Sequence, residues 1–151
     1  MNYLKDTITF VGNAIVDIVS QSSDETLRDL NIKKGSMKLI DEEMAEKFLT
    51  IIKNPTVISG GSAANTAVGF SSLGGCAYFV GQIGNDSYGD LFSRDINKSG
   101  VFFEKTENST KEKTSKSIIL VTPDAERSMN TFLGASVNFN VQSINQDLIM
   151  K

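Results

Sequence analysis

A stretch of very small residues at positions 60–75, GGSAANTAVGFSSLGG, constrains the fold of this chain more than any other feature. It follows the extended run Thr56–Ser59 and has helical spacing. The residues on one side of this predicted helix are all small: Ala63, Ala64, Ala67 and Val68. Such side chains let a helix backbone approach a sheet closely, and Gly74 and Gly75 end the helix. The stretch therefore predicts a helix packed tightly on a sheet.

Apolar and β-branched runs bounded by turn residues predict further strands on both sides of this helix. The predicted strands cover 7–12, 15–20, 35–40, 56–59, 76–82 and 101–104. Three more helices have capping residues at their starts: Ser22 in a capping box with Glu25, Asp41, and Asp86. The alternation of strand and helix favours an α/β fold whose core strands are parallel.

After Glu104 the pattern changes. The extended runs Ser117–Thr122 and Ser128–Phe132 are joined by turn residues, with no helix between them, which predicts a β-hairpin. The economical interpretation is a small antiparallel sheet beside the α/β core, with 15–20 and 35–40 as further members. The tail 137–151 has a weak helical pattern.

Composition removes several classes of chemistry. The 151 residues include no histidine and one cysteine, Cys76. This excludes Ser/His/Asp triads, imidazole metal ligands, disulfides within the chain and thiolate zinc sites, and we expect no metal site. The net charge of -3 argues against nucleic-acid and anionic-membrane partners. No apolar run is long enough for a membrane span, so a cytoplasmic location is expected.

Asn13 and Asp17 form the first candidate site. They follow the first predicted strand, where ligands of open α/β sheets bind. A carboxylate and an amide there can accept from and donate to the neighbouring hydroxyls of a sugar or ribose. The alternative is structural: Asp17 faces outward on an edge strand and Asn13 is a turn residue. Neither a Gly-Lys-Ser/Thr loop nor a Gly-x-Gly-x-x-Gly motif occurs to suggest a nucleotide site of the common kinds.

Gly60, Gly61 and Asn65 form the second candidate cluster. Two glycines between a strand and a helix let the backbone crowd against a ligand, and the helix start exposes amides that favour an oxygen-rich group. The alternative is a tight turn with a solvated Asn65. All five candidate residues fall at the same end of neighbouring strands, which favours a polyol site.

Three motifs carry a resemblance to a known family. The segment 60–92 reads GGSAANTAVGFSSLGGCAYFVGQIGNDSYGDLF, the earlier segment 11–19 reads VGNAIVDIV, and the later segment 119–136 reads ILVTPDAERSMNTFLGAS. In this order they resemble the N-terminal signature, first strand and lid hairpin of the ribokinase-like (PfkB-type) carbohydrate kinases, which include adenosine kinases. The four-residue step from Asn13 to Asp17 is closer to the adenosine-kinase-like branch.

The resemblance implies a function for each part. Asn13, Asp17, Gly60, Gly61 and Asn65 would bind substrate hydroxyls, and the antiparallel sheet would be a lid over a sugar or nucleoside. Arg127 in the hairpin turn is a candidate lid contact, although a turn arginine is usually solvated. The complete kinase would use ATP and Mg2+ to phosphorylate a hydroxyl group.

The family's catalytic part is missing from the sequence. Members are roughly twice this length, and their second half carries an anion hole and a catalytic aspartate in a Gly-Ala-Gly-Asp motif, which does not occur here. We therefore interpret 1–151 as the N-terminal half of such a kinase, with no catalytic residue, no tight ATP or Mg2+ binding and no phosphoryl transfer of its own. The segments assigned to the core are 5–12, 41–100 and 137–151, and those assigned to the lid are 14–40 and 101–136.

Two other interpretations remain open at the level of sequence. The chain could be a non-catalytic polyol-binding module, or a module that forms a homodimer through its lid, because exposed sheet edges favour pairing between copies. It could also be a misfolding-prone fragment without a function of its own.

Overall fold

A computed structural model describes residues 7–103, 111–140 and 144. It contains eight strands, four α-helices and one 3-10 turn within those ranges. In chain order the elements are β1 (Thr7–Val11), β2 (Ile15–Gln21), α1 (Asp24–Asp29), β3 (Met37–Leu39), α2 (Glu42–Ile51), β4 (Thr56–Gly60), α3 (Ser62–Ser72), β5 (Cys76–Val80), α4 (Ser87–Lys98), β6 (Val101–Phe103), β7 (Ser115–Val121), β8 (Arg127–Phe132) and the 3-10 turn Gly134–Asn138.

The predicted parallel core is confirmed. Strands β1, β5 and β6 form a three-stranded sheet in the order β1-β5-β6, and both pairings are parallel. The small residues of α3 pack against this sheet, with Ala64 and Ala67 buried. The rings of Phe79, Phe92 and Phe103 pack together between β5, α4 and β6, with centroids 5.4 to 5.8 Å apart. Alternation of strand and helix thus produces the expected α/β layer.

The other five strands form a second sheet in the order β3-β8-β7-β2-β4. The hairpin predicted from the two extended runs is confirmed, since β7 and β8 pair in antiparallel register. The sheet is mixed rather than wholly antiparallel as predicted, because β2 runs parallel to β7 and β3 runs parallel to β8. Strands β2 and β7 both follow a segment of the core and begin side by side, at Ile15 and Ser115, so they must run in the same direction.

Two elements within the predicted core segment 41–100 belong with the second sheet. Strand β4 pairs antiparallel with β2 instead of with a core strand. Helix α2 covers one face of the second sheet, where Ala45 and Phe48 pack with Ile118 and Leu120. The amphipathic stripe on α2 was visible in the sequence, but the sheet that it covers was not.

Helix starts follow capping chemistry. Asp41 and Asp86 are confirmed as the caps of α2 and α4, where their carboxylates accept from the backbone N–H of Met44 and Gly89. The cap of α1 is Ser23 rather than the predicted Ser22, because the Ser23 hydroxyl accepts from the Thr26 N–H. A serine pair offers two hydroxyls one residue apart, and sequence alone did not distinguish them.

Some predicted segments lie outside the described residues. These are the end of the strand predicted to reach Glu104, residues 105–110 of the predicted lid segment, residues 5 and 6 of the first core segment, and the tail apart from 137–140 and 144.

One charged side chain is enclosed where the two layers meet. Lys116 on β7 is only 1% exposed. Its Nζ donates to Glu46 Oε1 of α2 at 2.6 Å and lies 5.2 Å from the ring centroid of Tyr88 on α4. The Phe132 ring is 5.8 Å away on another side. The carboxylate and the aromatic faces compensate for the loss of water around the ammonium group.

Removing the Glu46 carboxylate should destabilise the fold more than removing the buried charge of Lys116. Glu46→Ala leaves the Lys116 ammonium buried without its counter-ion, so we expect the free energy of unfolding to fall by about 1–3 kcal/mol. Lys116→Met fills similar space without a charge and should cost less. Urea unfolding of both variants tests the order. A larger loss for Lys116→Met would show that the ion pair itself contributes more than the burial of the charge costs.

Candidate functional site

The two glycines predicted at the site allow the polar side chains and backbone around them to come close. A Cβ built on Gly60 would overlap the carboxylate of Asp17. A Cβ on Gly61 would lie 2.5 Å from the backbone oxygen of Asn13, and the Gly61 φ of +98° is a left-handed value that other residues rarely adopt. The structure therefore brings the Asp17 carboxylate and the Asn13 backbone carbonyl close to Gly60 and Gly61, where β2 pairs with β4.

Asp17 lies in the middle of a fully paired strand. Its backbone is opposite Ile58 on β4 and opposite Ser117 on β7. The side chain is half-buried, on the face of the sheet opposite the buried Val16 and Ile18. Pairing on both sides fixes the direction of the carboxylate, which projects from the open face of the second sheet.

Burial raises the pKa of Asp17 above its ordinary value, and the positive charge of Arg127 partly offsets this rise. The raised pKa means that the ionised carboxylate is short of stabilising partners. Arg127 is exposed at the start of β8, and the strand register places it on the same face as Asp17. Hydroxyl donors of a ligand would supply the hydrogen bonds that the carboxylate lacks.

The open face beside Asp17 is apolar, which the sequence analysis missed. Alternation along paired strands places Ile58, Met37 and Leu39 on this face, and they are 47%, 59% and 56% exposed. The half-buried Val19 and Met129 lie between them. Period-two alternation in β2 was a sequence signal for this face, but the pairing partners that extend it were not evident.

Asn65 lies in α3, just after the two glycines. Its N–H donates to the Gly61 carbonyl at 2.8 Å, which places it in the first turn of α3. Its side chain is exposed, and the start of α3 has no side-chain cap. The first backbone amides of α3 therefore have no side-chain acceptor at its cap.

Two further polar features near the strand ends were not predicted as functional. Gln82, just after β5, is 1% exposed, and neither atom of its side-chain amide has a hydrogen-bond partner. Asp86 binds Thr114 in addition to capping α4. A glutamine after a strand carries no distinctive sequence signal, and the Thr114 contact spans 28 residues.

The described parts of the chain offer no group of three or more Cys, Asp or Glu side chains that could hold a metal ion. None of the helices described is long and apolar enough to cross a membrane.

The arrangement is suited to a ligand with neighbouring hydroxyl groups. Asp17 can accept hydrogen bonds, Asn13 can both accept and donate, and the start of α3 offers amide donors. The pfkB family carbohydrate kinase model matches residues 20–150.

This chain belongs to the pfkB family of carbohydrate kinases.

Solved structures share the fold of this pfkB-family chain. A probable sugar kinase from Rhizobium etli is 43% identical, with a TM-score of 0.85 over 95% of this chain and 43% of that one. An adenosine kinase from Sinorhizobium meliloti is 40% identical, with a TM-score of 0.86 over 97% of this chain and 45% of that one. The predicted ribokinase-like fold is confirmed.

Among curated proteins, probable fructokinase-4 of Arabidopsis thaliana is 30% identical over 126 residues. The match covers 81% of this chain and 38% of the relative. The chain thus spans about two fifths of the length of the curated relatives that it matches most extensively.

Because the pKa of Asp17 is raised, replacing its carboxyl group should increase the stability of the fold, and the gain should depend on pH. A carboxyl group with a raised pKa binds its proton more tightly in the folded state, so its ionised form lowers stability at neutral pH. We expect Asp17→Asn to raise the thermal unfolding midpoint at pH 7. The gain should shrink as the pH falls through the raised pKa toward 3.8, the ordinary value.

Asp124→Asn is the matched control with the opposite sign. Hydrogen bonds from Lys34 and Thr122 lower the pKa of Asp124 to about 2, so its ionised form stabilises the fold. Its replacement should lower the midpoint at pH 7, and the loss should disappear as the pH falls through 3.8 toward 2. A midpoint at pH 7 that is unchanged or lower in Asp17→Asn would contradict the burial penalty at that site.

Proposed function

We propose that this chain forms the acceptor-binding part of an ATP-dependent kinase that phosphorylates a hydroxyl group of a sugar or nucleoside. Membership of the pfkB family supports the reaction class. The observation that supports acceptor binding is the packing of Asp17 over Gly60 and of Gly61 against Asn13. It presents a partly desolvated carboxylate near the Asn13 backbone and an uncapped helix start, which together match neighbouring hydroxyl groups.

Within this proposal, the acceptor is a nucleoside rather than a free sugar. A free sugar would leave the apolar surface of Ile58, Val19 and Met129 in water, whereas a flat base attached to the ribose would cover part of it. Burial of apolar surface contributes roughly 25 cal/mol per Å2. The relatives include proteins named as fructokinases and as adenosine kinases, so the name of a relative does not decide between the two acceptors.

ATP and Mg2+ belong to the proposed reaction of the complete protein. The sequence has no Gly-Ala-Gly-Asp motif, and the described residues include no acidic cluster for the metal. The residues present therefore do not fit the metal, and we assign them no step of phosphoryl transfer. Their proposed roles are to bind the acceptor, orient it and exclude water from it.

The acceptor role is tested by titrating adenosine and fructose into the complete protein by calorimetry. Asp17→Ala should weaken adenosine binding by on the order of 1.5–3 kcal/mol, because a hydrogen bond to a charged group is removed. Gly60→Ala should weaken it similarly, because the new methyl group takes the place of the carboxylate. The control is Gly69→Ala on α3, where an added Cβ meets nothing within 4 Å. Unchanged binding in Asp17→Ala would overturn the role of Asp17.

The acceptor preference has its own test. Ile58→Ser reduces the apolar face and keeps the Asp17 carboxylate, so adenosine binding should weaken while fructose binding stays the same. Equal effects on both acceptors, or tighter binding of fructose by the unmodified protein, would contradict the preference for a nucleoside.

A second candidate function is self-association through the second sheet. The observation in its favour is that Met37 and Leu39 are exposed on β3, an edge strand of that sheet. Sedimentation of the complete protein and of Leu39→Lys distinguishes the cases. A dimer that dissociates on Leu39→Lys would support association through this face, and a monomer at all concentrations would exclude it.

A further inference from the structure

The carboxylate of Asp86 makes more hydrogen bonds than a helix cap needs. Its Oδ1 accepts from the Gly89 N–H at 2.9 Å, which is the cap of α4. The same Oδ1 accepts from the Thr114 hydroxyl at 2.6 Å, and Oδ2 accepts from the Thr114 N–H at 2.9 Å. Thr114 is fully buried. A serine or asparagine would suffice as a helix cap, so capping alone does not account for the two hydrogen bonds from Thr114.

Thr114 connects three segments of the chain. Its hydroxyl accepts from the Gly84 N–H at 3.0 Å while donating to Asp86, so the loop after β5 is held to the residue that precedes β7. The neighbouring Lys113 carbonyl accepts from the Ala135 N–H at 2.8 Å, which holds the exit from β8 at the same place. The buried Thr114 thus lies where the loop after β5, the segment before β7 and the segment after β8 meet.

The packing at this junction leaves no room for side chains. A Cβ on Gly84 would lie 2.6 Å from the Thr114 nitrogen and 2.6 Å from the Glu112 oxygen. A Cβ on Gly89 would overlap the Gly84 oxygen. Gly89 lies within a helix, where glycine is otherwise unfavourable. A Cβ there would also lie 2.9 Å from the Thr114 hydroxyl oxygen, so close contact with the core loop and with the residue before β7 explains the glycine.

The junction is linked to both halves of the candidate site. On the core side, the loop after β5 packs against the carbonyl of Gly12, the residue before Asn13. A Cβ on Gly81 would lie 2.6 Å from that carbonyl oxygen. On the other side, β7 begins directly after Thr114 and pairs with β2, which places Ser117 opposite Asp17. The junction therefore packs against the residue before Asn13 on one side and leads into the strand that pairs beside Asp17 on the other.

The electrostatics of Asp86 agree with a fixed, ionised carboxylate. Burial disfavours the charged form, but the hydrogen bonds from Thr114 and Gly89 and the charge of Lys116 outweigh burial, so the pKa of Asp86 lies below its ordinary value. The carboxylate therefore stays charged at neutral pH, and its hydrogen bonds to Thr114 are of the stronger, charge-assisted kind.

We propose that Asp86 and Thr114 are positioning residues, which hold the second sheet at a set angle to the core so that Asp17 and Asn13 bind the same acceptor. The inference rests on the proposed function only for its effect on the acceptor, because the junction itself is independent of any ligand. Removing the Thr114 hydroxyl leaves the cap of α4 intact and releases the core loop from the entry to β7.

Kinetics of the complete protein test the effect on the acceptor. Thr114→Val should raise KM for the acceptor by about tenfold or more, since misplacement of binding groups by an ångström is costly, and leave KM for ATP unchanged. Thr114→Ser keeps the hydroxyl and should restore most of the acceptor KM. The matched control is Thr50→Val on α2, whose hydroxyl bonds only within its own helix to the Lys47 carbonyl. A lower thermal midpoint in Thr114→Val with both KM values unchanged would show a structural role alone and overturn the proposal.

Hydrogen exchange tests the junction without relying on kinase activity. Thr114→Val should speed amide exchange together in the loop 81–84, at the start of β7 and at the start of β2, while α4 keeps its protection. Faster exchange confined to one of these segments, or none, would overturn the proposal. If Thr114→Val does not fold, Asp86→Ser keeps a cap, removes the second carboxylate oxygen and should give the same pattern. Absence of phosphorylation by the unmodified protein would refute the proposed function and leave this exchange result to decide the inference.

Discussion

Direct backbone contact, made possible by glycine, is the constraint on which the rest of this structure depends. At the start of the second sheet, Gly60 and Gly61 let β4 turn into α3 while Asp17 and the Asn13 carbonyl occupy the space of absent side chains. At the second junction, Gly84 and Gly89 let the core loop contact the segment before β7. The first contact lies within the second sheet and at its entry, and the second joins that sheet to the core. The polar groups of the candidate site are therefore positioned by close packing of the main chain more than by side-chain hydrogen bonds between them.

The electrostatic pattern divides the second sheet into two faces with different roles. On the covered face, Lys116 is enclosed but has a carboxylate and two rings as partners. On the open face, burial raises the pKa of the half-buried Asp17, and the charge of Arg127 only partly offsets the rise. A satisfied buried charge supports the fold, whereas an unsatisfied one lowers stability until a ligand supplies donors. The contrast between Lys116 and Asp17 is typical of a protein that gives up some stability at a binding site.

Local rules of sequence predicted most of the elements and the residues of the candidate site. Local sequence determines several elements that the structure contains. These are the helix caps at Asp41 and Asp86, the hairpin over 117–132 and the helix of small residues. The mixed character of the second sheet depends on which distant strands pair, as β2 does with both β4 and β7. Sequence periodicity carries no information on such pairing. For the same reason, the Asp86–Thr114 contact and the apolar face around Ile58 became evident only in three dimensions.

Asp17 lies inside a strand with paired neighbours on both sides. Under the proposed function, this position allows acceptor choice to change around a fixed carboxylate. A side chain on a strand that is paired on both sides is ordered when the chain folds, so little conformational entropy remains to be lost when a ligand binds. The side chains two residues away along β2, and the Ile58 side chain across from it, share its face, whereas Asp17 is held by the backbone pairing of the strands. Under the proposed function, substitutions at those positions can reshape the open face for a bulkier or smaller acceptor while the Asp17 carboxylate stays in place.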